Sequence, residues 1–272
     1  MIIDSHQHLW TADYPWLSGA LRRDYTVADL RAVIGPAEVD RTVLVEAGRC
    51  DDAETTLFLR IAAETPEIAA VVGWAGLTAP DLAATLEAHR AGPGGEYLAG
   101  IRDQVQGQAD DYLDRADVRA GLAVIEKAGL VNELVVRAPQ LPSVARAAAA
   151  RPGSTFVLDH LGKPDIAGGG LAAWREMITP VAARPNVVAK ISGLVTEADH
   201  ERWTVADLRP YVETAVELFG PDRLMFGSDW PVLELAATYT EVKDALTELL
   251  GGTPGDVFAG TAIRTYRLRN VA

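Results

Sequence analysis

The chain has 272 residues, 49% of them hydrophobic and 23% charged, which is typical of a globular protein with a large core. Its formal net charge of -13 repels phosphate backbones and anionic lipids, which argues against nucleic acid or a membrane as a partner. The single cysteine, Cys50, excludes an internal disulfide, and a polar, histidine-containing start excludes a typical signal peptide, so we expect a cytoplasmic protein.

Short β-branched segments alternate with longer segments rich in Ala, Leu, Glu and Arg. We predict eight strands within segments 1–8, 41–48, 68–76, 97–106, 130–136, 154–162, 186–194 and 222–231. Strands that alternate with helices are typical of a parallel sheet, and eight such units in this length favour an α/β fold of the (β/α)8 TIM-barrel type. An open doubly wound sheet is the alternative, but no glycine-rich phosphate loop follows the first strand. We predict one domain over residues 1–272.

The first predicted strand carries His6 and His8, two positions apart and therefore on one face. His160 ends the sixth predicted strand and Asp229 ends the eighth, which a closed barrel sets beside the first. Active sites of such barrels lie at the C-terminal ends of the strands. Three imidazoles and a carboxylate there are typical of a zinc site with an open position for water. We predict these four residues as catalytic residues and as candidate metal ligands.

The fourth predicted strand places Arg102, Gln104 and Gln106 on one face, a pattern that suits a carboxylate or a polyhydroxylated ring. Arg102 could equally pair with a structural acid. Other polar and aromatic residues near predicted strand ends complete the candidate substrate-binding set: Glu46, Lys163, Trp10, Trp16, Trp74 and Trp230. His89 and His200 fall in helical or loop segments, where we expect solvated surface positions.

Several segments resemble the amidohydrolase-related lactonases, which include sugar lactone hydrolases: "DSHQHLW", "GIRDQVQ", "FVLDHLGKPDI", "NVVAKISGLVTEAD" and "FGSDWPV". The resemblance runs from residue 2 to about residue 268. It implies a (β/α)8 barrel and a hydrolase that opens an L-fucono- or L-rhamnono-lactone-like sugar lactone to the aldonic acid. It also implies that Asp229 acts as general base, with His6, His8 and His160 around the reacting centre.

The chain departs from the superfamily pattern at several positions. Two-metal members carry a carboxylated lysine on the fourth strand and a histidine on the fifth, and neither stands here. We therefore predict at most one divalent metal ion, with zinc expected, and metal-independent catalysis stays open. Asp103 and Thr261 also depart from the lactonases and leave the preferred lactone open. The alternatives are a metal-dependent decarboxylase of the same superfamily and a catalytically inactive sugar-acid-binding protein. The expected partner is a small-molecule lactone, and a homo-oligomer stays open.

Overall fold

The computed structural model describes residues 1–268, and its centre is an eight-stranded parallel sheet in which every strand pairs with the next along the chain. The strands are β1 (Ile3–Gln7), β2 (Arg41–Val45), β3 (Ile68–Gly73), β4 (Leu98–Asp103), β5 (Val131–Leu134), β6 (Phe156–Leu158), β7 (Val187–Ile191) and β8 (Leu224–Phe226). This topology confirms the predicted (β/α)8 barrel.

The barrel closes between its first and last strands, just beyond the end of β8. The backbone N–H of Asp229 donates to the carbonyl oxygen of His6 at 2.8 Å, and that of His8 donates to the carbonyl oxygen of Trp230 at 2.8 Å. Closure therefore joins the two chain segments that carry three of the four predicted catalytic residues, His6, His8 and Asp229.

Helices surround the sheet. Residues 1–268 contain α1 (Val27–Ile34), α2 (Asp52–Glu64), α3 (Leu82–Ala91), α4 (Ala116–Lys127), α5 (Leu141–Ala150), α6 (Leu171–Ala182), α7 (Val205–Phe219), α8 (Tyr239–Leu249) and α9 (Thr261–Tyr266). The side chain of Thr26 caps α1 and that of Thr238 caps α8, each accepting from a backbone N–H of the first turn; such a cap stabilises a helix by about 1 kcal/mol. None of these helices is long and apolar enough to cross a lipid bilayer.

The apolar core has two parts. The larger part lies between the sheet and the helices and includes fully buried Trp174, Phe58 and Phe258. A smaller cluster joins residues of several strands, among them Ile3, to Tyr266 of α9. The buried histidines and carboxylates predicted to be functional lie instead at the C-terminal ends of the strands, where the candidate site is found.

Candidate active site

The four residues predicted as catalytic lie together at the C-terminal ends of the strands. The Oδ1 atom of Asp229 is 3.4 Å from Nε2 of His8, 3.6 Å from Nε2 of His6 and 3.9 Å from Nε2 of His160. The Nε2 atoms of His6 and His8 are 3.1 Å apart. All four residues are buried. A carboxylate thus faces three imidazoles, although more than 220 residues separate Asp229 from His6 in the sequence.

Two of these residues, His160 and Asp229, have an unusual backbone conformation that directs their side chains into the site. His160 has φ +53° and Asp229 has φ +62°, in the left-handed region that residues other than glycine seldom adopt. Gly193, which follows β7 with φ +62°, allows the close approach: a Cβ there would lie 2.7 Å from Nδ1 of His160 and 3.0 Å from Oδ2 of Asp229. Strain of this kind is concentrated at functional sites.

Hydrogen-bond partners at Nδ1 orient the imidazoles of His8 and His160, whose Nε2 atoms face Asp229. Nδ1 of His8 lies 2.9 Å from the carbonyl oxygen of Val45, and Nδ1 of His160 lies 2.8 Å from the hydroxyl of Ser192. A carbonyl oxygen only accepts, so we assign the proton of His8 to Nδ1. Its Nε2, which faces Asp229, is then free to accept a proton or bind a metal ion.

The surroundings set the charges of the site. Burial lowers the pKa of His160 to about 4 and, with the nearby Lys190 ammonium, lowers the pKa of His6 well below its usual range. Burial acts in the opposite direction on Asp229, but His160 and His8 outweigh it and hold the pKa of this carboxyl below its ordinary value. The site therefore combines the neutral imidazoles of His6 and His160 with an ionised carboxylate, as a general base requires.

A buried ionic network lies directly beneath this group. The guanidinium of Arg102 donates from Nε to Oε1 of Glu46 at 2.5 Å and from Nη1 to Oδ2 of Asp159 at 3.0 Å. The ammonium of Lys190 donates to Oε1 of Glu133 at 2.6 Å. Sequence reasoning missed Glu133 and Asp159; an acid inside the apolar segment "LVNELVV" was the available signal for Glu133.

Asp4, in the same strand as His6, fastens the first strand to the chain that follows β8. Its carboxylate accepts from the backbone N–H groups of His6 and Ser228 at 2.9 and 2.8 Å, from the Ser228 hydroxyl at 2.6 Å and from the Tyr239 hydroxyl at 2.7 Å. Four donors leave no role for Asp4 in the reaction, and its contribution is to fix the backbone on both sides of the site.

A cavity of about 330 Å³ opens over Asp229 and His8. It is lined by six of the predicted substrate-binding residues: Trp10, Trp16, Arg102, Gln104, Gln106 and Lys163. The indole Nε1 of Trp16 donates to the carbonyl oxygen of Ala47 at 2.7 Å, while the residue remains 43% exposed at the rim. Two aromatic rings and two amides in one lining suit a ring that carries hydroxyl groups.

Three other predicted binding residues lie outside the lining of this cavity. Glu46 is fully buried behind Arg102, and Trp230 packs in the core, where its Nε1 donates to Glu234 at 3.0 Å. Trp74, which follows β3, does not line the cavity either. A residue that follows the candidate base in sequence can still point away from it, because the chain turns there.

The remaining two histidines, His89 and His200, differ in their exposure to solvent. His200 is exposed, as expected, whereas the expected surface position for His89 is wrong. His89 is buried on the inner face of α3, with Nε2 3.7 Å from a carboxylate oxygen of Asp52. Neither belongs to the site.

The donor set is suited to one metal ion. One ligand atom each from His6, His8 and Asp229 lie within 4.8 Å of one another, and the same holds for His6, Asp159 and His160. The first set offers two imidazole nitrogens and a carboxylate oxygen, the donors that zinc prefers, and the carbonyl of Val45 fixes His8 as ligating histidines usually are fixed. These residues therefore fit a single divalent ion.

The chain is similar to known proteins over nearly all of the residues that the structure describes. Residues 3–268 match the family model described as "Amidohydrolase". The chain is 41% identical to an L-fucono-1,5-lactonase of Burkholderia multivorans, over 98% of this chain and 96% of that protein. It is 32% identical to an L-fucono-1,5-lactonase of Burkholderia ambifaria, over 98% and 95%. A Burkholderia multivorans amidohydrolase crystallised with bound zinc has a similar structure, with a TM-score of 0.93 and 38% identity over 99% of this chain and 100% of that one.

Proposed function

Because the chain belongs to the amidohydrolase family, we propose that it is a hydrolase that opens a sugar lactone, L-fucono-1,5-lactone or a close relative, to the aldonic acid. One observation carries the proposal: an ionised carboxylate, Asp229, faces three imidazoles beside a cavity of the right size for a sugar ring. The curated relatives at 41% and 32% identity, both L-fucono-1,5-lactonases, support the choice of lactone.

Opening a lactone requires three events: water loses a proton, the carbonyl gains negative charge on its oxygen, and the ring oxygen leaves as an alkoxide. Asp229 accepts the proton of the water and returns it to the ring oxygen, so the carboxylate is regenerated in each cycle. His6 and His160 stabilise the developing oxyanion, and His8, with Nε2 free, holds the water against Asp229.

The cavity residues orient the ring. Trp10 and Trp16, whose rings meet edge to face with centroids 5.2 Å apart, form an apolar wall for one face of the sugar. Gln104 and Gln106 offer amide groups to the hydroxyls, and Lys163, which also lines the cavity, offers an ammonium donor. Arg102 holds these groups in place through Glu46, which also accepts from Nε2 of Gln104 at 2.6 Å.

A single divalent ion, with zinc expected, would be held by His6, His8 and Asp229 with help from His160. When bound, such an ion polarises a carbonyl as a Lewis acid. The zinc-bound relative supports this assignment. Strands β4 and β5 contribute Arg102 and Glu133 to the network, and both are engaged in buried ion pairs, so neither residue is free to hold a second ion. The other candidate ligand set, His6, Asp159 and His160, shares His6 with the first.

The test is hydrolysis of a panel of sugar 1,4- and 1,5-lactones, followed with a pH indicator, by protein purified without added metal and treated with a chelator or with zinc. We expect acid release that is fastest with L-fucono-1,5-lactone and its relatives. An aromatic carboxylic acid in the same panel, monitored for CO₂, tests the alternative of decarboxylation. Absence of acid release from every lactone would overturn the proposal and favour a binding protein.

A further inference from the structure

The cavity over Asp229 offers many hydrogen-bond donors and few acceptors. Apart from the catalytic residues, the polar side chains that line it belong to Trp10, Trp16, Arg102, Gln104, Gln106 and Lys163. Indole, guanidinium and ammonium groups only donate hydrogen bonds. The proton of a substrate hydroxyl needs an acceptor, and among these described lining residues the two glutamines are the ones whose side chains can accept. The orientation of their amides therefore matters for recognition.

Glu46 fixes the orientation of the Gln104 amide. Oε1 of Glu46 accepts from Nε2 of Gln104 at 2.6 Å and from Nε of Arg102 at 2.5 Å, and Oε2 accepts from the backbone N–H of Gly48 at 2.8 Å. Three donors converge on this group, and a carboxylate can only accept. If the Gln104 amide were turned over, its oxygen would face an oxygen of Glu46. Gln104 therefore keeps Nε2 toward Glu46 and its oxygen on the other side.

Gln104 fixes the amide of Gln106 in the same way. Oε1 of Gln104 accepts from Nε2 of Gln106 at 3.2 Å, and a turned Gln106 amide would bring two oxygens together. The backbone of Gln106 is also held, because its N–H donates to the carbonyl oxygen of Val135 at 2.9 Å and its carbonyl oxygen accepts from Nε of Arg137 at 2.9 Å. Oε1 of Gln106 makes no hydrogen bond with another of residues 1–268. Since Gln106 is half-buried in the cavity lining, this oxygen is available to a ligand.

We propose that Gln106 is a specificity-determining residue whose Oε1 accepts a hydrogen bond from one ring hydroxyl of the lactone. Gln104, anchored to Glu46, is the positioning residue that keeps this oxygen, and not the amide nitrogen, turned toward the ligand. The proposal rests on the proposed function and deepens it, because it names the group that is recognised. A hydrogen or fluorine atom in place of the hydroxyl cannot donate and leaves the oxygen without a partner, so the cavity selects hydroxylated over deoxygenated lactones.

Three substitutions separate the acceptor from the residue that positions it. Gln106→Met removes the acceptor itself. Gln104→Met leaves the Gln106 amide in place but frees it to turn, so that either its oxygen or its nitrogen can face the ligand. Gln108→Met is the matched control, because Gln108 is exposed in the same segment after β4 and does not line the cavity. Glu46 stays unchanged, because its loss would also leave Arg102 without a partner.

The kinetic test uses L-fucono-1,5-lactone and analogues in which one ring hydroxyl at a time is replaced by fluorine, a small atom that cannot donate. For each protein, kcat/KM of the parent lactone is divided by that of the analogue. The intrinsic reactivity of the analogue cancels when this ratio is compared between proteins. At one ring position the ratio should be about tenfold larger in the wild type and Gln108→Met than in Gln106→Met, as expected for an acceptor that loses its partner. Gln104→Met should give a ratio close to that of Gln106→Met.

Neutron diffraction from deuterated crystals tests the amide orientations directly, because deuterium distinguishes the nitrogen of an amide from its oxygen. In the wild type, the deuterated nitrogen of Gln104 should face Glu46 and that of Gln106 should face Gln104. In Gln104→Met, the Gln106 amide should lose this single orientation. A residue that only supported the fold would leave the orientation of Gln106 unchanged.

Equal ratios in all four proteins would overturn the proposal. A ratio that falls in Gln106→Met but not in Gln104→Met would overturn the positioning role, and so would a wild-type Gln106 whose nitrogen faces away from Gln104. Diffraction needs no lactone, so fixed amides in a protein that hydrolyses none would contradict the proposed function alone. The same ratios would then be taken from dissociation constants measured by calorimetry. An active lactonase with equal ratios would contradict this inference alone.

Discussion

Gly48 and Trp16 are in such close contact that a Cβ on Gly48 would lie 3.2 Å from the indole Nε1 of Trp16. Gly48 also has φ +82°, a conformation that other residues seldom adopt. This glycine therefore sets the position of the aromatic wall at the rim of the cavity.

Gly48→Ala should displace Trp16 and weaken substrate binding. We expect KM for the best lactone to rise about tenfold, close to the value of one aromatic contact, with kcat within about a factor of two. Steady-state kinetics measures both. Gly107→Ala, where a Cβ meets open space, is the matched control. An unchanged KM in Gly48→Ala would mean that Trp16 does not contact the substrate.

Asp229→Asn should abolish most of the turnover without unfolding the protein. Asparagine tolerates the left-handed backbone at this position, where φ is +62°, but it cannot accept a proton from water. Loss of a general base costs about 10²–10⁴ in kcat. Thermal unfolding monitored by circular dichroism checks the fold, and exposed His200→Gln serves as control. Turnover at half the wild-type rate would exclude Asp229 as the base.

Arg102→Met should destabilise the protein strongly. The change leaves the carboxylates of Glu46 and Asp159 buried without their shared cation, which typically costs about 3–5 kcal/mol. Urea unfolding measures the loss. Arg202→Met, which removes a side chain that is 82% exposed, should change the free energy of unfolding by less than about 0.5 kcal/mol. A stable Arg102→Met protein with a raised KM would instead assign Arg102 a direct role at the substrate.

Glu54→Gln should stabilise the protein above neutral pH. Burial, with a smaller contribution from Glu46, raises the pKa of Glu54 to about 7. Between about pH 4.5 and 7 the unfolded chain loses this proton while the folded chain retains it, so stability falls as the pH rises. Glutamine avoids this loss, and the variant should gain up to about 3 kcal/mol at pH 8.

The same two proteins should differ in stability by only about 0.4 kcal/mol from this cause at pH 4.5, because the carboxyl is then neutral in the folded state and about half neutral in the unfolded state. Urea unfolding at both pH values gives the difference, and exposed Glu64→Gln at the end of α2 provides the control. An advantage of Glu54→Gln that is equal at pH 4.5 and pH 8 would contradict the assigned pKa shift.

The sequence was most informative where local pattern and chemistry coincide. The β-branched segments predicted all eight strands, because a buried parallel strand needs a nearly continuous apolar run. His6, His160 and Asp229 were identifiable since each follows such a run. The last strand is shorter than predicted, Leu224–Phe226 within 222–231, because the chain leaves the sheet in the turn that aims Asp229.

Which side chains of different strands form ion pairs could not be predicted from the sequence. Whether Lys190 meets Glu133, Asp159 or solvent depends on the register of three strands, which no local pattern records. The burial of His89 was equally hard to predict, because the face of α3 that becomes buried depends on how the helix packs against the rest of the barrel. That residues 1–272 form one domain stays a prediction.

The hydrogen bonds that join β1 to the residues after β8 also determine when the site comes into existence. A ribosome synthesises His6 and His8 before Asp229, which follows after more than 220 further residues. Domains generally acquire their structure as units during or after synthesis, and contacts this remote in sequence form late. A nascent chain therefore carries His6 and His8 without the carboxylate of Asp229 beside them, and hydrolytic chemistry begins only when the ring of strands is complete.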